Sequence, residues 1–575
     1  MTEPPDSPLS KAGAAAKPPF VWVIPALLGL IFAVQCAWFI RTQSFTYDEP
    51  IHIAAGLQAW RNRSFGYFND HPPLARMWFT LPIVGARWQL DSSALIHSEP
   101  MSYVTPDAES MAHRTRGMNA ILGLILGAIL WFTTRRMLST GAANLALALF
   151  VLSPSMVAHF SLATTDGAAA LFTFAAAAYL VRWKRHPSLG RTLTLGVLLG
   201  LLLLVKFSTP PMFLVALFWI LASKPEGLMT NPLRWNWGRA CSAVAIAALV
   251  VWAGYFFHVS RFSIRDGTLT ATFPNRSPFV THASKRLNIF LLVPAGEYIE
   301  GLRTVVRHDG KGHPSFFLGR TSMRGGFRVY FPVDVLLKWP PVVLLLFAAG
   351  VFLAARRIVR VPWDVWILAS FPLVYFAFAI FSRINIGDRH ILPVYPFVLL
   401  FAAVAWQFLS TRPALMAVVG FALLLLAVDV ARYAPDYLSY FTPFVPPSQT
   451  YKLLSDSNLD WGQGLLAVRQ YQKTHPDEAI SVQPTGLVGL QVYGIHARRL
   501  EEGERASGTV IVGATALTGQ YLKDPDSARW VLQFPRTQIL DHSMFVFQVP
   551  ALPPHEADAL TRNVGTVPSI NTRAW

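Results

Sequence analysis

Only two of the 575 residues are cysteine, Cys36 and Cys241, and each lies inside an apolar run, where a thiol packs as a small hydrophobe. That excludes a disulfide framework and a cysteine-built metal site. Charge is scarce too, at 14% of residues, and acids are scarcer than bases: 32 Asp and Glu against 49 Lys and Arg, a formal net charge of +17. Such a balance invites a nucleic-acid partner, but no zinc finger or other nucleic-acid motif is present. Many of the basic residues instead sit in short connections between apolar runs, so nucleic acid is set aside. HExxH, Walker and GxSxG motifs are missing as well. The DxD string Asp524-Pro-Asp526 reads as a surface turn.

What is abundant is apolar surface. Hydrophobic residues make up 53% of the chain, with 18 Trp and a mean hydropathy of +0.39, more than one soluble core would use. Apolar runs near 20–40, 117–134, 141–161, 166–181, 192–209, 210–223, 240–258, 335–354, 363–381, 389–409 and 413–431 predict about eleven helices crossing a bilayer of roughly 30 Å. The fold class expected is therefore mainly α, a polytopic membrane protein. Lys11 and Lys17, Arg135-Arg136, Arg182 with Lys184-Arg185, Lys224 with Arg234 and Arg239, Arg356-Arg357 with Arg360, and Arg412 fall in alternate connections. The positive-inside rule then places the amino terminus in the cytoplasm and residues 45–115, 259–334 and everything after about 432 outside.

The organisation expected is a disordered cytoplasmic stretch over 1–19, a transmembrane catalytic body over 20–444 with outer loops 41–116 and 259–334, and an extracytoplasmic α/β domain over 445–575. That last domain rests on strand-like Ile480–Gln483, Gly508–Gly513 and Met544–Val549, separated by helix-like Leu465–Lys473 and Ala514–Leu522. The first outer loop, with Pro72-Pro73, suits short interfacial helices.

Chemistry concentrates at one membrane face. Asp48 and Glu49 follow the first apolar run in Phe45-Thr-Tyr-Asp-Glu-Pro50, and the same loop continues into Asp70-His-Pro-Pro-Leu-Ala-Arg76. An acidic pair at an interface can deprotonate a hydroxyl whose partner substrate is anchored in lipid. Equally, Thr46 or Asp48 followed by Glu can begin a helix as its cap. His71 either orients substrate or is a turn histidine; Arg76 either binds substrate or snorkels to lipid phosphates. Arg389 and His390 open an apolar run at its outer end. With Lys206 and Lys338 at two others, they can converge on a phosphate or serve as interfacial anchors. Asp166 caps a helix or faces a cavity.

Tyr47-Asp48-Glu49 with Asp70-His-Pro-Pro-Leu-Ala-Arg76 resembles the first outer loop of the protein O-mannosyltransferase and aminoarabinose-transferase group, integral-membrane glycosyltransferases of the GT-C fold. Gly312-His-Pro-Ser-Phe-Phe-Leu-Gly319, Tyr330-Phe-Pro-Val333 with Leu336-Leu-Lys338, Gly387-Asp-Arg-His-Ile-Leu-Pro393 with Tyr395-Pro396, and Leu453–Gln463 are similar to blocks of its bacterial members. The sequence departs from the group where Arg76 stands in place of a frequent Lys, and in Pro50-Ile-His52 after the acids. The resemblance implies a bacterial inner-membrane enzyme that moves a sugar from a polyprenyl-phosphate donor to an acceptor hydroxyl or phosphate at the outer face, with inversion. It implies Asp48 as base, with Glu49 positioning donor or acceptor. His71, Arg76, Asp166, Lys206, Lys338, Arg389 and His390 would bind substrate. The partners implied are the lipid-linked sugar, membrane lipid and a protein, glycan or lipid acceptor. No cofactor follows from the residues, and a divalent-metal requirement is left open. A transporter or flippase of lipid-linked sugars would place ionisable residues at the bilayer midplane and show repeated halves; neither is visible here, and a non-catalytic assembly factor is the other alternative. The domain over 445–575 is expected to shape acceptor access and not the chemistry, with Ser455-Asp-Ser-Asn-Leu-Asp-Trp461 as the segment able to overturn that division.

Overall fold

The computed structural model describes residues 19–86, 108–222, 236–265, 268–275, 279–282 and 289–551. Residues 1–18 and the orientation markers Lys224 and Arg234 lie outside them.

All eleven apolar runs fall on helices, but not all as straight spans. Among the described residues, six helices are long and apolar enough to cross a membrane: Val23–Thr42, Ala108–Met137, Trp237–Gly254, Asp364–Phe381, Asp388–Leu409 and Pro413–Tyr433. Two further expected spans are bent. Thr140–Val151 meets Pro154–Phe160 at 66°, and Tyr330–Lys338 meets Pro341–Ala355 at 114°. The cause of the second bend is local: Pro340 and Pro341 withdraw backbone donors and force Trp339 into an extended conformation, with ψ 136°. The expected span 192–209 ends at Leu203, where Lys206 and then Pro210-Pro211 interrupt the run, leaving the shorter helices Leu189–Leu203 and Pro210–Leu221. Asp166–Arg185 is helical over 20 residues with charges at both ends.

The segment Asp388–Leu409 is the centre of the bundle: 83% of its apolar window is buried, against 11% for Pro413–Tyr433. Helix Pro341–Ala355 lies against it so closely that a Cβ on Gly350 would stand 2.0 Å from the carbonyl oxygen of Phe401, a small-residue contact of the kind that lets membrane helices approach.

The segment expected to be the first outer loop forms, in its described part, the expected short helices Glu49–Asn62 and Pro73–Thr80. Gly56 allows them to cross, since a Cβ there would meet the Arg76 carbonyl oxygen at 2.3 Å. The second outer segment builds a four-stranded antiparallel sheet, in order Phe279–His282, Thr268–Thr272, Val259–Arg265, Ile289–Pro294. Helix Gly296–Lys311 and the hairpin Ser315–Phe317/Arg320–Ser322 follow.

The carboxy-terminal part is a mixed five-stranded sheet in order Arg536–Leu540, Met544–Val549, Gly508–Gly513, Ile480–Gln483, Arg498–Arg499. Ile480–Gln483 runs parallel to Gly508–Gly513 with Ser481 opposite Val510, and Met544–Val549 runs antiparallel to it. Helix Leu465–Thr474 matches the expected element, and Ala514–Thr518 is shorter than expected because Gly519, at φ +72°, ends it.

Candidate active site

The adjacent acids Asp48 and Glu49 point to different partners. Glu49 is fully buried and its oxygens are all engaged. Arg116 clamps it with Nε at 2.8 Å and Nη2 at 2.7 Å, the Ala163 amide donates at 2.8 Å, and Thr46 donates through its amide at 2.8 Å and its hydroxyl at 3.0 Å. The two Thr46 bonds close the turn ahead of the helix, which begins at Glu49 itself with Asp48 before it and no side-chain cap, so neither Thr46 nor Asp48 caps it. Arg116 also donates to the carbonyls of Gln43 and Ser44, both at 2.7 Å. This ion pair fastens the acidic loop to helix Ala108–Met137. Arg116 was not legible as functional, being one of several basic residues in His113-Arg-Thr-Arg116 at the foot of an apolar run.

Asp48 is the residue preceding helix Glu49–Asn62, yet its side chain makes no capping bond. It receives instead the Nη1 of Arg389 at 2.7 Å while remaining 25% exposed. Arg389 is buried, with the ring of Trp461 4.0 Å from its guanidinium carbon. Asp166 lies 3.9 Å from the same Nη1 and pairs with Lys206 through its other oxygen. Acid and base therefore alternate along Asp48, Arg389, Asp166 and Lys206. Two buried nitrogens here have no hydrogen-bond partner, Arg389 Nε in this row and Nε2 of the adjacent His390. Asp166 begins helix Asp166–Arg185, which has no side-chain cap, and its carboxylate turns to this row of charges. Lys206 is buried and is not an interfacial anchor.

Lys338 does not join them. Its ammonium donates to the carbonyls of Leu438 at 2.9 Å and Asn458 at 2.5 Å, beneath the ring of Phe441. Its charge is spent on holding two loops, so no convergence on a phosphate is formed by it. Asp388, next to Arg389, is gripped by Ser155, by His159 at 3.2 Å and, through its amide, by Asn458 at 3.0 Å. Those contacts fix the turn that presents Arg389.

Arg76 is buried and does not snorkel. It donates to His52 Nδ1 at 3.1 Å, to Asp70 at 2.9 Å and to the Phe68 carbonyl. Burial first, then the Arg76 charge, pushes His52 well below the ordinary imidazole value, leaving a neutral ring able to accept that bond. His71 lies 3.2 Å from Asp70 and packs edge-on to His52 at 5.0 Å. His71 and Arg76 line a cavity with Tyr67, Asn69, Tyr255 and Glu297. The Leu74 amide donates to the Leu204 carbonyl at 3.1 Å, joining this cluster to the turn that carries Lys206.

The carboxy-terminal part touches the candidate site through the segment Ser455–Trp461, the one able to overturn the expected division of labour. Besides Trp461 over Arg389, the Trp461 carbonyl accepts from the Tyr47 amide at 2.8 Å, Ser44 binds the carbonyls of Gly462 and Gln463, and the Phe45 amide donates to the Tyr493 hydroxyl at 2.9 Å. Asp460 holds this turn to the sheet domain through Thr485 at 2.7 Å and the Thr515 amide at 3.1 Å. Asp456, at φ +57°, accepts from the Tyr521 hydroxyl. Burial raises its carboxyl above the ordinary value, with Arg389 opposing. By contrast Asp526 of the DxD string is largely exposed and pairs with Arg529, as a surface turn does. Among the described residues no group of three or more His, Cys, Asp or Glu is arranged to hold a metal ion.

A family model described as dolichyl-phosphate-mannose-protein mannosyltransferase matches residues 111–252. The Saccharomyces cerevisiae protein O-mannosyltransferase Pmt1-Pmt2 complex, solved with its sugar donor, superposes at a TM-score of 0.50 with 12% identity, over 73% of this chain and 90% of that one. The chain has the GT-C fold. ArnT from Cupriavidus metallidurans is also similar, at TM-score 0.45 and 16% identity in its apo state, over 75% of this chain and 68% of that one. Its undecaprenyl-phosphate complex gives 0.45 and 13%, over 92% and 98%. By sequence, the chain matches no curated protein. The resemblance drawn from the first outer loop thus holds for the fold class, and the family model matches a separate stretch of the chain.

The geometry of this GT-C chain separates support from reactivity in a way that can be measured. Arg116→Ala strands the Glu49 charge without its cation, and loss of one partner of a buried pair costs on the order of 3–5 kcal/mol. We expect a clear fall in melting temperature of the detergent-purified protein, in contrast to substitutions at Asp48. An unchanged melting temperature would show that the pair is not what secures the loop.

Proposed function

We propose that the protein is a membrane glycosyltransferase that moves a sugar from a polyprenyl-phosphate donor to an acceptor hydroxyl or phosphate at the outer face of a bacterial inner membrane, with inversion. The observation that carries this reading is Asp48, still partly open to solvent, held 2.7 Å from the buried Arg389. The acceptor oxygen attacks the anomeric carbon from the side away from the phosphate, Asp48 takes the hydroxyl proton, and the bond from the anomeric carbon to the phosphate oxygen breaks with its electron pair leaving on phosphate. Arg389, whose planar fork suits phosphate, stabilises that departing charge, with Lys206 and His390 beside it. Asp166 keeps the two cations apart and oriented, Glu49 positions Asp48, and Lys338 positions the loops around them. His71 and Arg76 bind further along the same face. The family match and the donor-bound and lipid-phosphate-bound relatives support the reading.

The test is transfer by the purified protein in nanodiscs from a radiolabelled polyprenyl-phosphate sugar, run beside a flipping assay in vesicles. Donor flipping without cleavage would sink the enzyme reading. Arg389→Ala should raise the donor KM by roughly 10–150-fold, the equivalent of about 1.5–3 kcal/mol for a hydrogen bond to a charged group, and leave the acceptor KM within a few-fold. Arg389→Lys should recover only part, because a point charge replaces a fork. Equal changes in donor and acceptor constants would make Arg389 a structural residue.

A further inference from the structure

The four-stranded sheet of the second outer segment has one face that is covered at its middle, although Leu291 at the edge of it is 55% exposed, and one open face. On the covered face Ser260 and Ala271 are buried, and Ser260 donates to Glu297 at 3.2 Å at the start of helix Gly296–Lys311. The open face follows from the register. Arg261 stands between Leu292 and Thr272, Ser263 between Phe290 and Thr270, and Thr270 beside Val280. On it Phe290 is 67% exposed, Val280 60%, Leu292 53% and Val259 38%, and Arg261 and Arg265 are exposed among them. No described position on this face is acidic.

We propose that this face lies on the bilayer surface, with Phe290 and Leu292 against the outermost acyl chains and Arg261 among lipid phosphates. Three observations favour a membrane over a protein occupant. The sheet starts at Val259, only Tyr255–His258 after the apolar helix Trp237–Gly254 ends, and Phe257 in that link is itself exposed. Among the described residues the charge on the face is of one sign, complementary to phosphate, and interleaved with large apolar groups as in interfacial segments. Strand Ile289–Pro294 is the sheet edge, with unpaired backbone groups that hydrocarbon would leave unsatisfied and that the hydrated headgroup layer satisfies. The sheet thereby ties helix Gly296–Lys311, and with it Glu297 in the wall of the cavity beside His71 and Arg76, to the plane of the membrane.

The test uses the full chain with Cys36→Ala and Cys241→Ser, carrying either Phe290→Cys or, as a solvent control, Glu502→Cys on the exposed surface of the carboxy-terminal domain. Each is labelled with an environment-sensitive fluorophore and reconstituted in nanodiscs containing phosphatidylglycerol. Quenching by shallow nitroxide lipids should be several-fold stronger at 290 than at 502, and iodide accessibility should be reversed. Hydrogen exchange on the unlabelled protein guards against an effect of the label: strands 259–265 and 289–294 should be slower in nanodiscs than in detergent, and Arg261→Glu with Phe290→Ser should abolish that difference. Equal quenching at the two sites, or exchange that is the same in both media, overturns the proposal. So does fluorophore contact between two copies of the chain in place of lipid quenching.

Discussion

Asp48→Asn should lower sugar transfer by roughly 10²–10⁴-fold, the usual cost of losing a general base, with expression and melting temperature close to wild type. The substitution keeps the volume of the side chain and can keep an oxygen on Arg389, so the contact that holds the guanidinium is weakened but not emptied. What disappears is the capacity to accept a proton. Donor binding should survive, because the phosphate-facing cations are untouched, and equilibrium binding of the polyprenyl-phosphate donor measures this directly. Glu49→Gln is the informative companion. Its partners Arg116, Thr46 and the Ala163 amide are structural, so it should lose melting temperature together with activity, whereas Asp48→Asn should lose activity alone. Transfer by Asp48→Asn within a few-fold of wild type would remove Asp48 from the role of base.

That contrast also marks how far the sequence could be read. An acidic pair after an apolar run is visible in one dimension, and so is HPPLAR. What is not visible is that the pair divides. The Thr46-to-Glu49 spacing suggested a cap, but the helix begins at Glu49 with no side-chain cap; Glu49 turns to Arg116 while Asp48 one position earlier turns to Arg389, because successive residues at a helix start project about a hundred degrees apart. Arg389 was legible since its charge opens an apolar run. Arg116 was not, because it stands with His113 and Arg114 at the foot of an apolar run, as an interfacial base does, and its partner is 67 positions away. Lys338 shows the opposite failure: a charge at a helix end looked available, but backbone carbonyls from residues 100 and 120 positions further on consume it. The spans were legible by hydropathy but their bends were not, since 141–161 and 335–354 read as continuous apolar runs across Pro154 and Pro340-Pro341. The α/β alternation after residue 465 gave three of the five strands; Arg498–Arg499 is too short for any periodicity, and Arg536–Leu540 has polar residues on an edge.

Removal of everything after residue 444 should abolish donor binding as well as transfer, against the sequence-based expectation that this part governs only acceptor access. The reason is contact geometry. Trp461 covers the face of Arg389 at 4.0 Å and its carbonyl holds the Tyr47 amide at 2.8 Å, so one residue of the carboxy-terminal part supports the cation and the loop bearing Asp48 together. A truncated chain that fails to fold would give the same loss, so point variants decide the matter. Trp461→Ala uncovers Arg389 and should raise the donor KM by about 2–30-fold, from a cation–π contact of roughly 0.5–2 kcal/mol, with the acceptor KM little changed. Trp461→Phe keeps an aromatic face and should restore most of it, which a purely space-filling role would not require of an aromatic over Trp461→Leu. Asp460→Ala cuts the turn from Thr485 and Thr515 and should move donor KM in the same direction as Trp461→Ala, because it acts by releasing the same ring. If all three variants remain folded and bind donor as wild type does, while only transfer to the native acceptor falls, the carboxy-terminal domain acts on the acceptor alone and the contacts of Trp461 are incidental to the chemistry.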